Sequence, residues 1–363
     1  MIPIKYKSSY LLFLKLFDLF LCQNLSLLCN MYHVALIGYG YWGTNLLRNL
    51  MNASLVSSLT VCDLKKSRRD EVQKIYPTLQ VTDDFESIIS KDTIDIVIIA
   101  TPTSTHYPLA KLALQRGKHT LVEKPLCTSS SQARELYQLA NQNQVILFTD
   151  LTFLFNGAVE YIQESIKNGA LGKINYIDST RVNLGIYHND TNVIWDLATH
   201  DIAIIQKLLQ LKPTHVRAIS SHTQKQHTDL AYIFLYYPDD VLVHINSSWA
   251  SPTKIRQMII GGEKKMIIYD EVEPTHKVKI YDYAQTDESR NETLIDYRLG
   301  DIAIPKFSTT EPLRKMLDTF LECIRTNQYQ VVLPEDSIEI IRILECAELS
   351  LAKGGDLIPL AWN

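Results

Sequence analysis

One hexapeptide restricts this chain more than any other feature. Gly38-Tyr39-Gly40-Tyr41-Trp42-Gly43 stands directly after the apolar run His33 to Ile37 and directly before a pattern with Leu46, Leu47 and Leu50 at helical spacing. A G-x-G-x-x-G between a strand and a helix suits a dinucleotide. The first glycine makes the tight turn, the second lets backbone approach the pyrophosphate, and the third allows close helix–strand packing with the phosphates on the helix amino end. A second strand-like run, Ser58 to Cys62, closes with Asp63, 20 residues beyond Gly43. A carboxylate there can bind a ribose diol and repels a 2′-phosphate, so the expected cofactor is NAD in preference to NADP. Lys65, Lys66 and Arg68 are the nearby cations that a phosphate would use instead.

The rest of the chain fits a nucleotide-binding sheet. Ile94 to Ala100 is a continuous β-branched run of the kind buried on both faces of a parallel sheet. Helical patterns near 65–75, 107–116 and 131–141 alternate with strand-like runs at 119–122 and 145–148. This alternation predicts an α/β fold, a doubly wound Rossmann sheet over residues 31–150. After Asp150 the rhythm changes. Helical stretches near 158–168 and 195–211 flank a strand at 174–183, and strand-like segments then follow one another at 215–221, 231–236, 241–249, 255–260, 266–269 and 278–281. Successive strands without intervening helices predict a C-terminal α+β domain over 151–363, with an open, mainly antiparallel sheet closed by helices at 311–326 and 334–352.

Residues 1–30 are set apart. Tyr10 to Cys22 is apolar apart from Lys15 and Asp18, too short and too interrupted for a membrane span, and no small-residue cleavage site follows. The preferred reading is an extension outside the fold ahead of Met31, over an amphipathic appendage or a signal or anchor. Composition narrows the function classes. Lys and Arg total 36 against 40 Asp and Glu, a net charge of −4 without a long basic block, so no nucleic-acid partner is expected. Six scattered cysteines, none as C-x-x-C, suggest neither a disulfide framework nor a metal site, and the expected compartment is the cytoplasm. No membrane partner is expected.

Two further constellations carry chemistry. Glu123-Lys124-Pro125 ends the fifth strand, and strand carboxyl ends face the ligand crevice in doubly wound sheets. In Trp195-Asp196-Leu197-Ala198-Thr199-His200-Asp201, Asp196 and His200 are four apart on a helical pattern, so the Asp can hold the imidazole while its other nitrogen meets a hydroxyl. Taken alone, a strand-end Lys is often merely solvated and an i, i+4 Asp–His pair is often a surface contact.

Together these residues resemble the Gfo/Idh/MocA oxidoreductases. The resemblance rests on Gly38 to Gly43, Asp63, Thr101-Pro102 with His106, Glu123-Lys124-Pro125, and Asp196 with His200, in this order, and covers residues 31 to about 356. The stretches NGALGKINYIDSTRVNLG and VIWDLATHDI resemble the branch associated with nucleotide-sugar and surface-polysaccharide biosynthesis, to which UDP-N-acetylglucosaminuronate 3-dehydrogenase belongs; Thr199 stands where that branch commonly has Pro. The resemblance implies an NAD-dependent sugar dehydrogenase. His200 would take the hydroxyl proton, Lys124 would stabilise the alkoxide, and Asp196 would orient the site's hydrogen bonds. Gly38, Gly40, Tyr41, Trp42, Gly43, Asp63, Thr101, Pro102, His106, Glu123 and Lys124 would meet the cofactor. The resemblance also implies a small-molecule sugar or nucleotide-sugar substrate and a homo-oligomer. Arg181, Asn183, Tyr187 and Trp195 are candidate substrate contacts by position. The alternative is a cofactor-binding sensor or regulator of the same fold without turnover.

Overall fold

The computed structural model describes residues 31–185, 191–221, 228–285 and 297–362. Tyr187 lies outside the described residues, as does the segment 1–30. The chain falls into two compact units, one ending at Ile98 and one beginning at Ile99.

The first unit starts with β1 (Tyr32–Ile37), α1 (Tyr41–Leu50), β2 (Val56–Cys62), α2 (Lys66–Ile75), β3 (Gln80–Thr82) and α3 (Phe85–Ile89), and reaches into β4 (Ile96–Ile99). β1, β2 and β3 run parallel, with Val34 opposite Leu59 and Val61 opposite Val81. Every residue of β4 is fully buried, as an uninterrupted Ile/Val run in a sheet covered on both faces requires. α1 turns Leu46, Leu47 and Leu50 inward. It can lie tight on the strand-to-helix turn because Gly43 lacks a side chain: a Cβ there would stand 2.1 Å from the Gly38 carbonyl oxygen. Gly38 itself has φ +93, a conformation that glycine adopts without strain.

The second unit continues the α/β rhythm with α4 (His106–Gln115), β5 (His119–Glu123), α5 (Ser130–Gln142) and β6 (Leu147–Asp150). β5 and β6 are parallel and in register, so that Glu123 stands opposite Asp150. β1 to β6 are the six strands of a Rossmann-type parallel sheet.

Beyond β6 come α6 (Gly157–Lys167), β7 (Ile174–Leu184), a π-helical turn at Ile194–Ala198 and α7 (Thr199–Leu209). Then follow β8 (His215–Ser221), β9 (Leu230–Tyr236), β10 (Leu242–Ser248), β11 (Ala250–Gly262), β12 (Met266–Asp270), β13 (Val278–Gln285), β14 (Tyr297–Ala303), α8 (Pro312–Thr326), α9 (Pro334–Ala352) and β15 (Ile358–Pro359). The nine strands from β7 onward form one sheet in the order β14-β13-β12-β11-β7-β10-β9-β8-β15. β10 pairs with β7 in parallel, and β7 pairs with β11 antiparallel, which makes the sheet mixed but mainly antiparallel.

Burial alternates along β9 and β10, with Ile233, Leu235, Val243 and Ile245 inward. A period of two is what one covered face imposes. α9 supplies cover: the Ser350 hydroxyl accepts the Ala218 amide of β8 at 2.9 Å. Three short elements, β3, α3 and β15, escape the sequence pattern because runs of 3, 5 and 2 residues do not complete a second period of their own template, so no repeat shows.

We expect Gly43→Ala to lower the unfolding free energy by about 1–3 kcal/mol, because the added methyl forces backbone apart at the turn. Urea denaturation checks this, and a midpoint equal to that of the unsubstituted protein would show that the turn yields without cost.

Candidate active site

In the first unit the glycine turn offers a phosphate its backbone. A Cβ on Gly40 would meet nothing within 4 Å, so open space lies where a ligand must approach, and no side chain caps the amino end of α1. The α1 amino end therefore retains donors for an anion. Asp63 fixes this turn: its Oδ2 accepts the Tyr39 amide at 2.8 Å and its Oδ1 accepts the Lys65 amide at 2.8 Å. Tyr41 is 78% exposed beside the turn, with Trp42 packed edge-on against it. Of the neighbouring cations, Lys66 pairs with Asp70 and Arg68 with Glu71 along α2. These residues fit a dinucleotide.

The second unit gathers the acid–base groups. Lys124 follows β5 and precedes a cis bond to Pro125. Its ammonium donates to the Asp196 carbonyl oxygen at 2.7 Å and to Asp196 Oδ1 at 3.0 Å, although the two residues are 72 apart in the chain. Asp196 lies in the π-helical turn, a local widening common at functional sites. Asn192 caps that turn, its Oδ1 accepting the Ile194 and Trp195 amides at 3.0 and 3.3 Å. The Thr199 hydroxyl donates back to the Trp195 carbonyl at 2.6 Å, a contact that Pro in its place could not make. The second oxygen of Asp196 accepts the indole N–H of Trp249 at 2.9 Å.

Where the i, i+4 spacing points to His200, the two carboxylate oxygens of Asp196 meet Lys124 and Trp249. His200 instead packs edge-on against Phe153 at 4.6 Å between ring centroids. Burial, and then the cations Lys124, Arg181 and Arg256, hold its imidazole well below the usual histidine range. It is therefore neutral at pH 7 and can accept a proton.

Arg181 occupies a buried ionic cluster. It grips Asp201 through two nitrogens at 2.9 and 3.1 Å, lies 3.0 Å from Glu271, and stacks on Phe153 at 5.0 Å. Glu271 also binds Arg256, and although burial raises its carboxyl, the two guanidinium groups outweigh that and hold it low. Arg181 is thus committed to carboxylates of its own unit. Trp195 is 5% exposed and Asn183 partly exposed on β7.

His106 is buried, with Nδ1 2.8 Å from the Pro125 carbonyl oxygen and Nε2 2.8 Å from the Thr101 carbonyl oxygen. It ties the turn after β4 to the turn after β5. The Thr101 hydroxyl meets that of Thr105 at 2.7 Å, and Pro102 leads into this short helical turn. Glu123 is buried beside Asp150. Trp249, Phe153 and the Asp201–Glu271–Arg256 cluster escape sequence reading because their roles arise from contacts between distant segments. Asp150 is legible by the rule that singles out Lys124, since it closes a parallel strand.

Comparison with known proteins shows the family. Residues 32–151 match the oxidoreductase family with an NAD-binding Rossmann fold, GFO_IDH_MocA, and residues 159–268 match the GFO/IDH/MocA C-terminal domain. The chain is 25% identical over 326 residues to the NAD(+) scyllo-inositol 2-dehydrogenase of Bacillus subtilis, covering 85% of this chain and 89% of that enzyme. It is 27% identical over 178 residues to the UDP-N-acetylglucosamine 3-dehydrogenase of Acidithiobacillus ferrooxidans, covering 49% of this chain and 56% of that enzyme. The crystal structure of GenD2 from gentamicin A biosynthesis, in complex with NAD, shares the fold at a TM-score of 0.78 and 19% identity over 92% of this chain and 97% of that one. With both of its domains matched in order, and with a phosphate-ready glycine turn in its first unit, the chain belongs to the Gfo/Idh/MocA family as an NAD-binding oxidoreductase.

Proposed function

We propose that the protein is an NAD-dependent dehydrogenase that oxidises a ring hydroxyl of a sugar, or reduces the matching ketone, and that its substrate is a nucleotide sugar used in surface polysaccharide synthesis. The observation that carries the reaction class is the ammonium of Lys124, held by Asp196 in a site whose histidine is neutral. The nucleotide-sugar part rests on the likeness to a UDP-N-acetylglucosamine 3-dehydrogenase. A protein that only sensed its cofactor would have no chemical use for Lys124 and His200.

NAD, when bound, supplies the acceptor for the hydrogen and electron pair that leave the carbinol carbon. Gly38, Gly40 and Gly43 hold its phosphates and Asp63 its ribose. Neutral His200 takes the hydroxyl proton. Lys124 places positive charge at the oxygen as the alkoxide develops, where a preorganised donor lowers the barrier. Asp196 fixes the ammonium, and Trp249 fixes Asp196. In the reducing direction His200 returns the proton.

Two finer properties belong to the proposal. The chain works as a homo-oligomer through the uncovered face of its nine-stranded sheet, where Tyr176 and Leu242 stand side by side and Phe234 and His244 stand next to Asp178. The compartment is the cytoplasm, in keeping with the unpaired Cys62, Cys127, Cys323 and Cys346.

Three outcomes are expected. Lys124→Met and His200→Ala each bind NAD, yet hydride transfer falls by at least about 100-fold, without additivity in the double variant. Single-turnover NADH absorbance with UDP-N-acetylglucosamine and scyllo-inositol as probes reads this, and a near-normal rate in either variant removes that residue from the mechanism. NAD binds at least about tenfold more tightly than NADP, about 1.4 kcal/mol, because Asp63 repels the extra phosphate. Equal affinities in fluorescence titrations would sink this and point to Lys65, Lys66 or Arg68 as a 2′-phosphate site. The acid limb of alcohol oxidation lies below the ordinary histidine value of 6.5. Since a depressed value keeps the base form down to lower pH, a kcat/KM profile already halved at pH 6.5 would exclude His200 as the base.

A further inference from the structure

Beneath Lys124 lie two acids that the reaction above does not use. Glu123 and Asp150 are the last residues of β5 and β6 and stand opposite each other in the parallel register. Both are buried, 6% and 3% exposed. Glu123 Oε2 accepts the Lys124 amide at 3.2 Å, whereas its Oε1 is buried with no donor among the described residues. Asp150 Oδ1 accepts both the amide of Thr152, at 3.0 Å, and its hydroxyl, whereas its Oδ2 is buried and equally bare. The two carboxyl groups act on each other across the paired strand ends, and burial raises both. Two buried carboxylates side by side repel each other, and neither has a hydrogen to give the other's bare oxygen. One proton between the two bare oxygens removes both deficits.

We propose that Glu123 and Asp150 hold a single proton between them, donated by Glu123, and that this acid pair is a positioning element for Lys124. Asp150, with two donors from Thr152, is the better anion, so the proton resides on Glu123. Burial, and then the adjacent Asp150 carboxylate, push the Glu123 carboxyl well above the usual carboxylate range, while burial raises that of Asp150 despite Thr152. Lys124 is a cation that acts on both acids. The pair therefore presents one negative charge to the ammonium, balanced across the site by the single charge of Asp196. With both acids ionised, two charges at the strand ends would draw the ammonium away from Asp196 and from the substrate oxygen. The link to the substrate oxygen rests on the dehydrogenase reading; the shared proton does not.

Infrared spectroscopy of the full chain at pH 7 tests the pair without substrate or cofactor. The expected result is a protonated-carboxyl C=O band that is lost in Glu123→Gln and shifted in frequency in Asp150→Asn, where the Glu123 proton loses its carboxylate acceptor while burial still holds it on Glu123. A Glu123→Gln spectrum that retains every such band of the unsubstituted protein, or an Asp150→Asn spectrum with the band unmoved, would overturn the proposal. A second readout is melting temperature against pH. Above the ordinary glutamate value of 4.5 the unfolded chain has released a proton that the folded chain keeps, so the folded state loses stability as pH rises. Glu123→Gln has no such proton, and its melting temperature relative to the unsubstituted protein is expected to climb steadily from about pH 5 to pH 8. A constant difference across that range would overturn the proposal. Because neither measurement involves turnover, failure here is distinguishable from failure of the dehydrogenase assignment, which Lys124→Met decides.

Discussion

The chemistry of the second unit depends on one interaction, the grip of Asp196 on the ammonium of Lys124. A lysine at a strand end is free to wave into solvent, and ordering it costs rotamer entropy of about 2 kcal/mol. Here the loss is offset by two acceptors on one residue, a carbonyl oxygen and a carboxylate oxygen, with the lysine side chain only 10% exposed. The carbonyl comes within reach because the backbone at Ile194–Ala198 follows a wider, π-helical path. The carboxylate is held from behind by the Trp249 indole. Removing Trp249 would leave a partly buried carboxylate short of a donor and free to rotate, so a residue with no reactive atom helps set the position of the reactive one.

The same region shows how a histidine is kept neutral. An exposed imidazole beside a carboxylate would gain affinity for protons, which is what an Asp196–His200 contact would have produced. By giving Asp196 to Lys124, the fold leaves His200 among cations and apolar surface, with Phe153 in contact with both it and Arg181. Arg181 can be buried there only because Asp201 and Glu271 neutralise it, since a charge in a poorly polarisable interior needs paired partners. Two of the three named cations that depress His200 are thus present through a cluster whose internal charges balance, Arg181 and Arg256 against Asp201 and Glu271.

The parallel strands deliver charge in a similar way. β5 and β6 end level with each other, and their last residues are both acids. Register alone brings Glu123 and Asp150 together, with Lys124 the next residue along. Thr152 then decides which of the two is the anion.

The sequence by itself determined the periodic and the short-range parts of this protein. Alternating strands and helices up to Asp150, strands in succession afterwards, and a glycine turn leading to Asp63 are all set by spacing, which is local and survives in one dimension. Gly43 is legible for the same reason, since its contact with Gly38 spans five residues. Lys124 and His200 were legible as candidates, being reactive side chains beside recognisable turns. Their partners were not. Lys124 to Asp196 spans 72 residues, Trp249 to Asp196 spans 53, and Arg181 reaches Glu271 from another strand. Spacing along a helix suggested that Asp196 serves His200; tertiary structure gave it to Lys124 instead, because a full positive charge with two acceptors in reach binds more strongly than a neutral ring beside an aromatic one.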